Sequence, residues 1–264
     1  MRQSRIKRKL AQGKPVLITC LHLLDPAVYE QVAIYGFDGI WIDMEHHGTS
    51  VQTATTLMRA ARVGDTDIVA RPGNREFTRM QRILEAGAQG IMYPRCADAD
   101  EARQVIQWTK FSPMGKRGFD GGNPDMPYCM MEPAEYVVQA NQETFVIIQL
   151  EEQCAIDRAD EIAAVDGVDV LMFGPGDFSI LSGIPGQFDH RLIHEARAKI
   201  ATAAATHGKH WGQPCGTPNE ARELMDQGAR VLFRGSDITT LKLGLEKIQA
   251  EFLSLGFTFE KRDC

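Results

Sequence analysis

Short runs of β-branched and aliphatic residues alternate with longer stretches in which apolar positions recur at helical spacing, and this alternation continues from one end of the chain to the other. It is the pattern of an α/β protein. Eight strands are predicted, at residues 16–22, 39–43 and beyond, 67–71, 90–94, 145–151, 168–173, 210–215 and 230–234. The helices between them carry start and stop signals. Asp25 and Pro26 open the first and Gly36 closes it, and Asp98 opens the fourth. Thr217 and Pro218 open the seventh, with Glu220 three residues after the Thr217 cap, and Gly228 ends it. Eight strand-helix units in 264 residues match the arithmetic of a (β/α)8 TIM barrel, one domain spanning residues 1–264, with catalytic groups at the carboxyl ends of the strands. The rival is a doubly wound sheet. After the first strand the chain reads CLHLLDP, without the G-x-G-x-x-G that a dinucleotide-binding sheet places there.

Three segments depart from the rhythm. Residues 2–14 form a basic, weakly amphipathic helix, read as a cap on one end of the barrel. Residues 111–131, including SPMGKRGFDGGNPDMPY, are too rich in Gly and Pro for a helix, and a loop this long inside a compact domain is usually functional or an interface element. Residues 238–252 place Ile238, Leu241, Leu245, Ile248 and Phe252 on one helical stripe, which the barrel's eighth helix requires. The continuation FLSLGFTF adds more apolar surface than one barrel wall covers, and so predicts a homo-oligomer built through this end of the chain.

Composition narrows the classes of function. With 29 Lys and Arg against 35 Asp and Glu, the net charge is -6, which disfavours nucleic-acid and anionic-membrane surfaces. No apolar run reaches the roughly 20 residues of a membrane span, and no signal-peptide stretch follows the charged opening MRQSRIKRKL. A cytoplasmic protein is expected. Cys20, Cys96, Cys129, Cys154, Cys215 and Cys264 lie far apart with no C-x-x-C pair, so they read as buried or spare thiols rather than disulfides or a zinc site.

The chemistry gathers at strand ends. The second strand leaves its apolar pattern at Asp43 and continues Met44-Glu45-His46-His47, putting a carboxylate and two imidazoles at the rim. A His oriented by an Asp acts as a general base; alternatively, Asp43 caps the next helix. The third strand ends in Arg71 before Pro72. Its guanidinium suits a substrate carboxylate or an enolate oxygen, or a salt bridge to Asp43 or Glu45. The fifth strand ends in Gln149, Glu151 and Glu152, with Gln149 and Glu151 on one face, and the sixth ends in Gly174-Pro175-Gly176-Asp177. Glu151 and Asp177, completed by water and substrate oxygens, suit Mg2+ or a similar hard divalent ion; each acid also suits a helix N-cap. The backbone N–H groups of Gly176 and Asp177 suit a substrate carboxylate. Lys110, Lys116, Lys199, Lys209, Lys242 and Lys247 fall in loops, helices or a strand start, which disfavours a Schiff-base mechanism. QPCGTP and FRGSD are poor phosphate cradles.

In order along the chain, GFDGIWIDMEHH, the RP after the third strand, QRILEAGAQGIMYPRCADADEAR, SPMGKRG, QLEE and FGPGDFS resemble the HpcH/HpaI aldolase family. The resemblance implies a (β/α)8 barrel and class II, metal-dependent cleavage or formation of a carbon-carbon bond next to a pyruvate unit, using Mg2+, Mn2+ or Co2+. It implies Glu151 and Asp177 as metal ligands, Arg71 as the enolate-stabilising residue, and His46 rather than His47 as the partner of Asp43 in the acid-base dyad. The substrates would be a 4-hydroxy-2-oxo acid, or its parts, a 2-oxo acid and an aldehyde. It further implies a hexamer paired through C-terminal helices, with an acidic residue after the third helix serving a neighbour's site; Glu85 stands there in place of the usual Asp. The alternatives are a lyase or decarboxylase of oxaloacetate-like acids, and a non-catalytic barrel that binds 2-oxo acids.

Overall fold

Each of the eight expected strands forms, and each lies parallel to its neighbours in the sequence. The computed structural model describes residues 1–260. In it β1 (Val16–Leu21), β2 (Gly39–Asp43), β3 (Asp67–Arg71), β4 (Gly90–Tyr93), β5 (Phe145–Leu150), β6 (Val170–Phe173), β7 (His210–Pro214) and β8 (Val231–Ser236) pair in order, and β1 pairs with β8 to close the barrel. Because successive side chains alternate across a strand, Val16, Ile18, Val69, Met92, Ile147, Met172 and Phe233 fill the interior. Ile40, Ile68, Ile91, Ile148 and Leu171 face outward against the helices.

The capping signals work as their chemistry dictates. Asp25 accepts from Ala27 N at 2.8 Å, Asp98 from Glu101 N at 2.9 Å, and Thr217 from Glu220 N at 3.1 Å. Glu220 reaches back to Gly216 N at 2.6 Å, one residue before the cap. Gly36 and Gly228 take the left-handed conformation at φ 78° and 95°, ending helices Pro26–Ile34 and Pro218–Asp226. The strand expected over 16–22 stops one residue early. The carboxylate of Asp237 captures the His22 N–H at 2.9 Å and so withdraws it from the ladder.

The basic N-terminal segment is the helix Arg5–Ala11, whose Ile6 and Leu10 plug the interior at the amino ends of the strands. Its entry is held by buried Asp67, which accepts from Ser4 Oγ at 2.6 Å, Ile6 N at 2.8 Å and Arg5 N at 3.1 Å. The Gly- and Pro-rich loop lies at the same end. It carries only the 3-10 turn Pro127–Cys129, and a buried ion pair between Arg117 and Asp125, joined by the Tyr136 hydroxyl, holds it. Lys110 is buried below it, donating to the carbonyls of Asn141 and Thr144, far from the catalytic ends of the strands. Cys20, Cys96, Cys129, Cys154 and Cys215 are free thiols, and Cys264 lies outside the described residues.

Replacing Asp67 with Ala strands three donors at the barrel's plugged end. Urea unfolding of Asp67→Ala should therefore show a loss of about 2–3 kcal/mol, with Asp67→Asn losing less.

Candidate active site

The register of β2 on β3 sets Asp43 directly beside Arg71, both on inward-facing positions. The guanidinium grips the carboxylate with two bonds, Nε to Oδ1 at 3.0 Å and Nη2 to Oδ2 at 2.7 Å. A bidentate pair of this kind is strong and geometrically rigid. Trp41, two residues before Asp43 on the same face, puts its ring 4.7 Å beneath the guanidinium carbon. On the far side Nη1 donates to Gln149 Oε1 at 3.4 Å, and Gln149 Nε2 donates to Glu151 Oε1 at 2.5 Å. One continuous contact chain thus joins the ends of β2, β3 and β5.

These contacts decide the charge states. Burial opposes the charge on Asp43, but the Arg71 bonds outweigh it and hold the carboxyl below the usual range. Burial likewise opposes the charge on Arg71, and Asp43 with Glu45 more than restores it. Glu151 differs. Burial first, and then the nearby charge of Asp177, raise its proton affinity to about 8. Burial also raises Glu45, whose Oε2 lies 3.2 Å from Arg71 Nε but makes no hydrogen bond, since that N–H already points at Asp43.

Glu151 stands just past β5, where its other oxygen accepts from Arg95 N at 3.2 Å. Gly174 faces it, and a Cβ there would collide with the carboxylate, so the residue must be glycine for Glu151 to sit where it does. Asp177 lies in the first turn of helix Pro175–Leu181, whose capping position is Gly174, so neither acid serves as an N-cap. Around Gly176 a Cβ would meet nothing within 4 Å, and the backbone there faces open space.

One expectation needs correction. The Asp43–His46 side-chain dyad does not form, because both oxygens of Asp43 are committed to Arg71 and only the His46 backbone N–H approaches it, at 3.4 Å. The His46 ring is exposed and lies 3.7 Å from Glu45, while the imidazole nearest Asp43 is His47, at 4.0 Å. Glu85 lies near the end of helix Phe77–Ala86, toward the amino ends of the strands, and takes a hydrogen bond from Gln81 at 3.1 Å. Within one chain it is remote from Arg71 and Glu151. The sequence reading also overlooked residues that the fold brings in. Trp41 was legible from its two-residue offset to Asp43, and Glu45 stands beside Arg71 as the expected ion pair has it, but nothing local signalled the pairing of His22 with Asp237 at 3.1 Å.

The donor set fits a hard divalent cation. Asp177 is close enough to Glu151 for its charge to raise the proton affinity of Glu151, and Glu45 leaves a buried oxygen without a partner. Among the described residues no group of three or more His, Cys, Asp or Glu is arranged to hold a metal alone. Water and substrate oxygens would complete the shell around the two acids.

The HpcH/HpaI aldolase/citrate lyase family model matches residues 19–242. A 4-hydroxy-2-oxo-heptane-1,7-dioate aldolase from Salmonella arizonae is 30% identical over 250 residues, 95% of each chain. The crystal structure of an HpcH/HpaI aldolase from Desulfitobacterium hafniense DCB-2 superposes with a TM-score of 0.88 at 29% identity, covering 93% of this chain and 96% of the other. A family member from Burkholderia cenocepacia J2315 gives 0.87 at 28% identity, covering 94% and 98%. The family match and the aldolase relative make the chain a carbon-carbon lyase. The chain belongs to the HpcH/HpaI aldolase/citrate lyase family.

In the metal-free protein the folded chain holds the Glu151 proton up to about 8, whereas an unfolded chain releases it near the ordinary value of 4.5. Between those values the native state binds more protons, so this group makes stability fall as pH rises. In Glu151→Gln that part of the pH dependence should vanish from urea unfolding curves recorded across the window.

Proposed function

We propose that the protein is a class II aldolase that cleaves or forms the C3–C4 bond of 4-hydroxy-2-oxo acids, giving pyruvate and an aldehyde. The contact chain from Asp43 through Arg71 and Gln149 to Glu151 carries this reading. It fixes a buried cation beside two acids at one barrel mouth, where an enolate needs its charge matched. Similarity to the 4-hydroxy-2-oxo-heptane-1,7-dioate aldolase supports the same chemistry.

Glu151 and Asp177 would hold Mg2+, Mn2+ or Co2+, and the ion when bound supplies Lewis-acid stabilisation of developing negative charge on oxygen. The first-turn N–H groups at Gly176 and Asp177 have no acceptor within the helix and suit the substrate carboxylate. His46, exposed at the mouth, takes the proton of the 4-hydroxyl directly or through water. The oxygen then forms the aldehyde carbonyl as C3–C4 breaks, and the electron pair passes into the pyruvate enolate. Arg71 faces that enolate oxygen, and protonation at C3 completes pyruvate. Asp43 orients Arg71, and Gln149 keeps the guanidinium and Glu151 in a fixed relation.

Pyruvate release from a panel of 4-hydroxy-2-oxo acids tests the reading, and rigorous EDTA treatment should abolish it. Arg71→Ala and His46→Ala should lose most turnover while keeping Mn2+ affinity in calorimetric titration. Glu151→Ala and Asp177→Ala should lose that affinity. Undiminished turnover without metal, or normal affinity in both acid variants, refutes the assignment.

A homo-oligomer is supported by helix Asp237–Leu253, in which no apolar residue is buried. Ile238, Leu241, Leu245, Ile248 and Phe252 are exposed, and Leu255 and Phe257 extend the apolar surface. A patch of this kind marks a contact with another chain. A homo-oligomer, a hexamer by the family resemblance, would bury it and bring Glu85 and the 111–131 loop near a subunit boundary. Among the described residues no helix is long and apolar enough to cross a membrane, and the five free thiols suit the cytoplasm. Light scattering after size exclusion at micromolar concentration should give the mass of the oligomer; a monodisperse, active monomer would overturn both the assembly and any shared role for Glu85.

A further inference from the structure

We infer that His22, fixed by Asp237, is a specificity-determining residue that accepts a hydrogen bond from a hydroxyl on the aldehyde half of the substrate. The inference rests on the aldolase reading above and adds a residue and a substrate class to it.

The alternation that sends Val16 and Ile18 into the barrel interior continues through Cys20 to His22, which stands one residue beyond β1, at the mouth. Asp237, just after β8, anchors it. That carboxylate is almost fully buried and accepts from the backbone N–H groups of His22, Leu23 and Ile238 at 2.9, 2.7 and 2.8 Å. Three backbone donors fix the carboxylate in place, and it meets the His22 ring at Nδ1, 3.1 Å away, so Nδ1 is engaged within the chain. Nε2 is the ring atom left for a ligand, and an imidazole whose Nδ1 donates presents Nε2 as an acceptor. Its neighbour in the chain itself is the Cys20 thiol at 3.9 Å, a weak donor that burial keeps protonated, its pKa pushed up to about 12. A substrate hydroxyl is the stronger partner.

The ring belongs to the mouth already described. Its edge meets the face of His47 with centroids 4.8 Å apart, and His47 in turn approaches Asp43. In a closed ring of eight strands β1 stands four strands from β5, directly across from Glu151. A pyruvate unit seated against Glu151, Asp177 and Arg71 therefore extends its remaining carbons toward β1. The strand ends on that side carry three carboxylates, Asp43, Glu45 and Asp237, and Arg71 is already committed to the first two. An anionic aldehyde would meet like charge there, whereas a hydroxyl meets the free Nε2 of His22. A purely structural role leaves the imidazole unexplained, because the backbone bonds to Asp237 already tie β1 to β8.

The test is aldol synthesis from pyruvate with glycolaldehyde or propanal, two aldehydes of equal size of which only the first carries a hydroxyl. The readout is the ratio of their kcat/KM values. The wild type should prefer glycolaldehyde, and His22→Phe, which keeps a ring but removes the acceptor, should lower the ratio by about tenfold or more. His22→Ala, which demands no space, is read the same way if the Phe variant does not fold. His22→Gln, which restores an acceptor, should return the ratio to within about threefold of wild type. An unchanged ratio in His22→Phe or His22→Ala, or a wild type that prefers propanal, overturns the inference. Pyruvate methyl-proton exchange in D2O by the wild type separates the two levels. Its absence overturns the aldolase reading and this inference together, whereas exchange with an unchanged ratio overturns this inference alone.

Discussion

A guanidinium buried at the mouth of a barrel must be matched by its surroundings, and the site is organised by how Arg71 is matched. Asp43 supplies the bidentate partner, Gln149 the third acceptor and Trp41 a π-face below. Breaking one side of such a buried pair costs on the order of 3–5 kcal/mol, so the pair is also a constraint on the sheet. Asp43 and Arg71 are register partners across β2 and β3. A slip of one residue in either strand would turn its member of the pair outward. The alignment that closes the barrel is thereby the same alignment that assembles the charge pair.

The acids around this cation outnumber it. Asp43 and Glu45 share Arg71, while the charge of Asp177 raises the proton affinity of Glu151. The protein tolerates this through local geometry. The Gln149 amide and the Arg95 backbone N–H bind Glu151, and the bare backbone of Gly174 makes room for it. A mouth with surplus negative charge, held open by hydrogen bonds rather than neutralised within the chain, is the electrostatic counterpart of a ligand that brings positive charge.

The strands and helix caps were readable because both depend on local rules. Alternation of side chains gave Asp43, Arg71, Gln149 and Glu151 a common inward direction, and the barrel then made them neighbours. Beyond the strand ends that rule stops applying. His46 and His47 are adjacent in the loop after β2, and which one meets Asp43 depends on the path of that loop and on Arg71 having already taken both oxygens. Arg71 at the end of β3 meets both Asp43 and Glu45, the two partners its position offered. The His22–Asp237 pair spans 215 residues, and only the closure of β1 on β8 creates it. Glu85 was visible as an acid on a helix, but its position near the helix end places it at the opposite face of the barrel.

The plug formed by helix Arg5–Ala11 has a consequence for how the chain comes together in time. This segment precedes every strand in the chain, yet its berth is assembled from distant parts of the sequence. Asp67 receives its start, Lys7 reaches the carbonyl of Thr144 and the carboxylate of Asp169, and Ile6 and Leu10 join an interior that includes Val231 and Phe233. Contacts of such long sequence separation form late, after the loop-closure entropy has been met. The opening residues must therefore wait, unplugged, until nearly all of the barrel has left the ribosome, and their apolar side chains are a place where a chaperone would find purchase on the nascent protein.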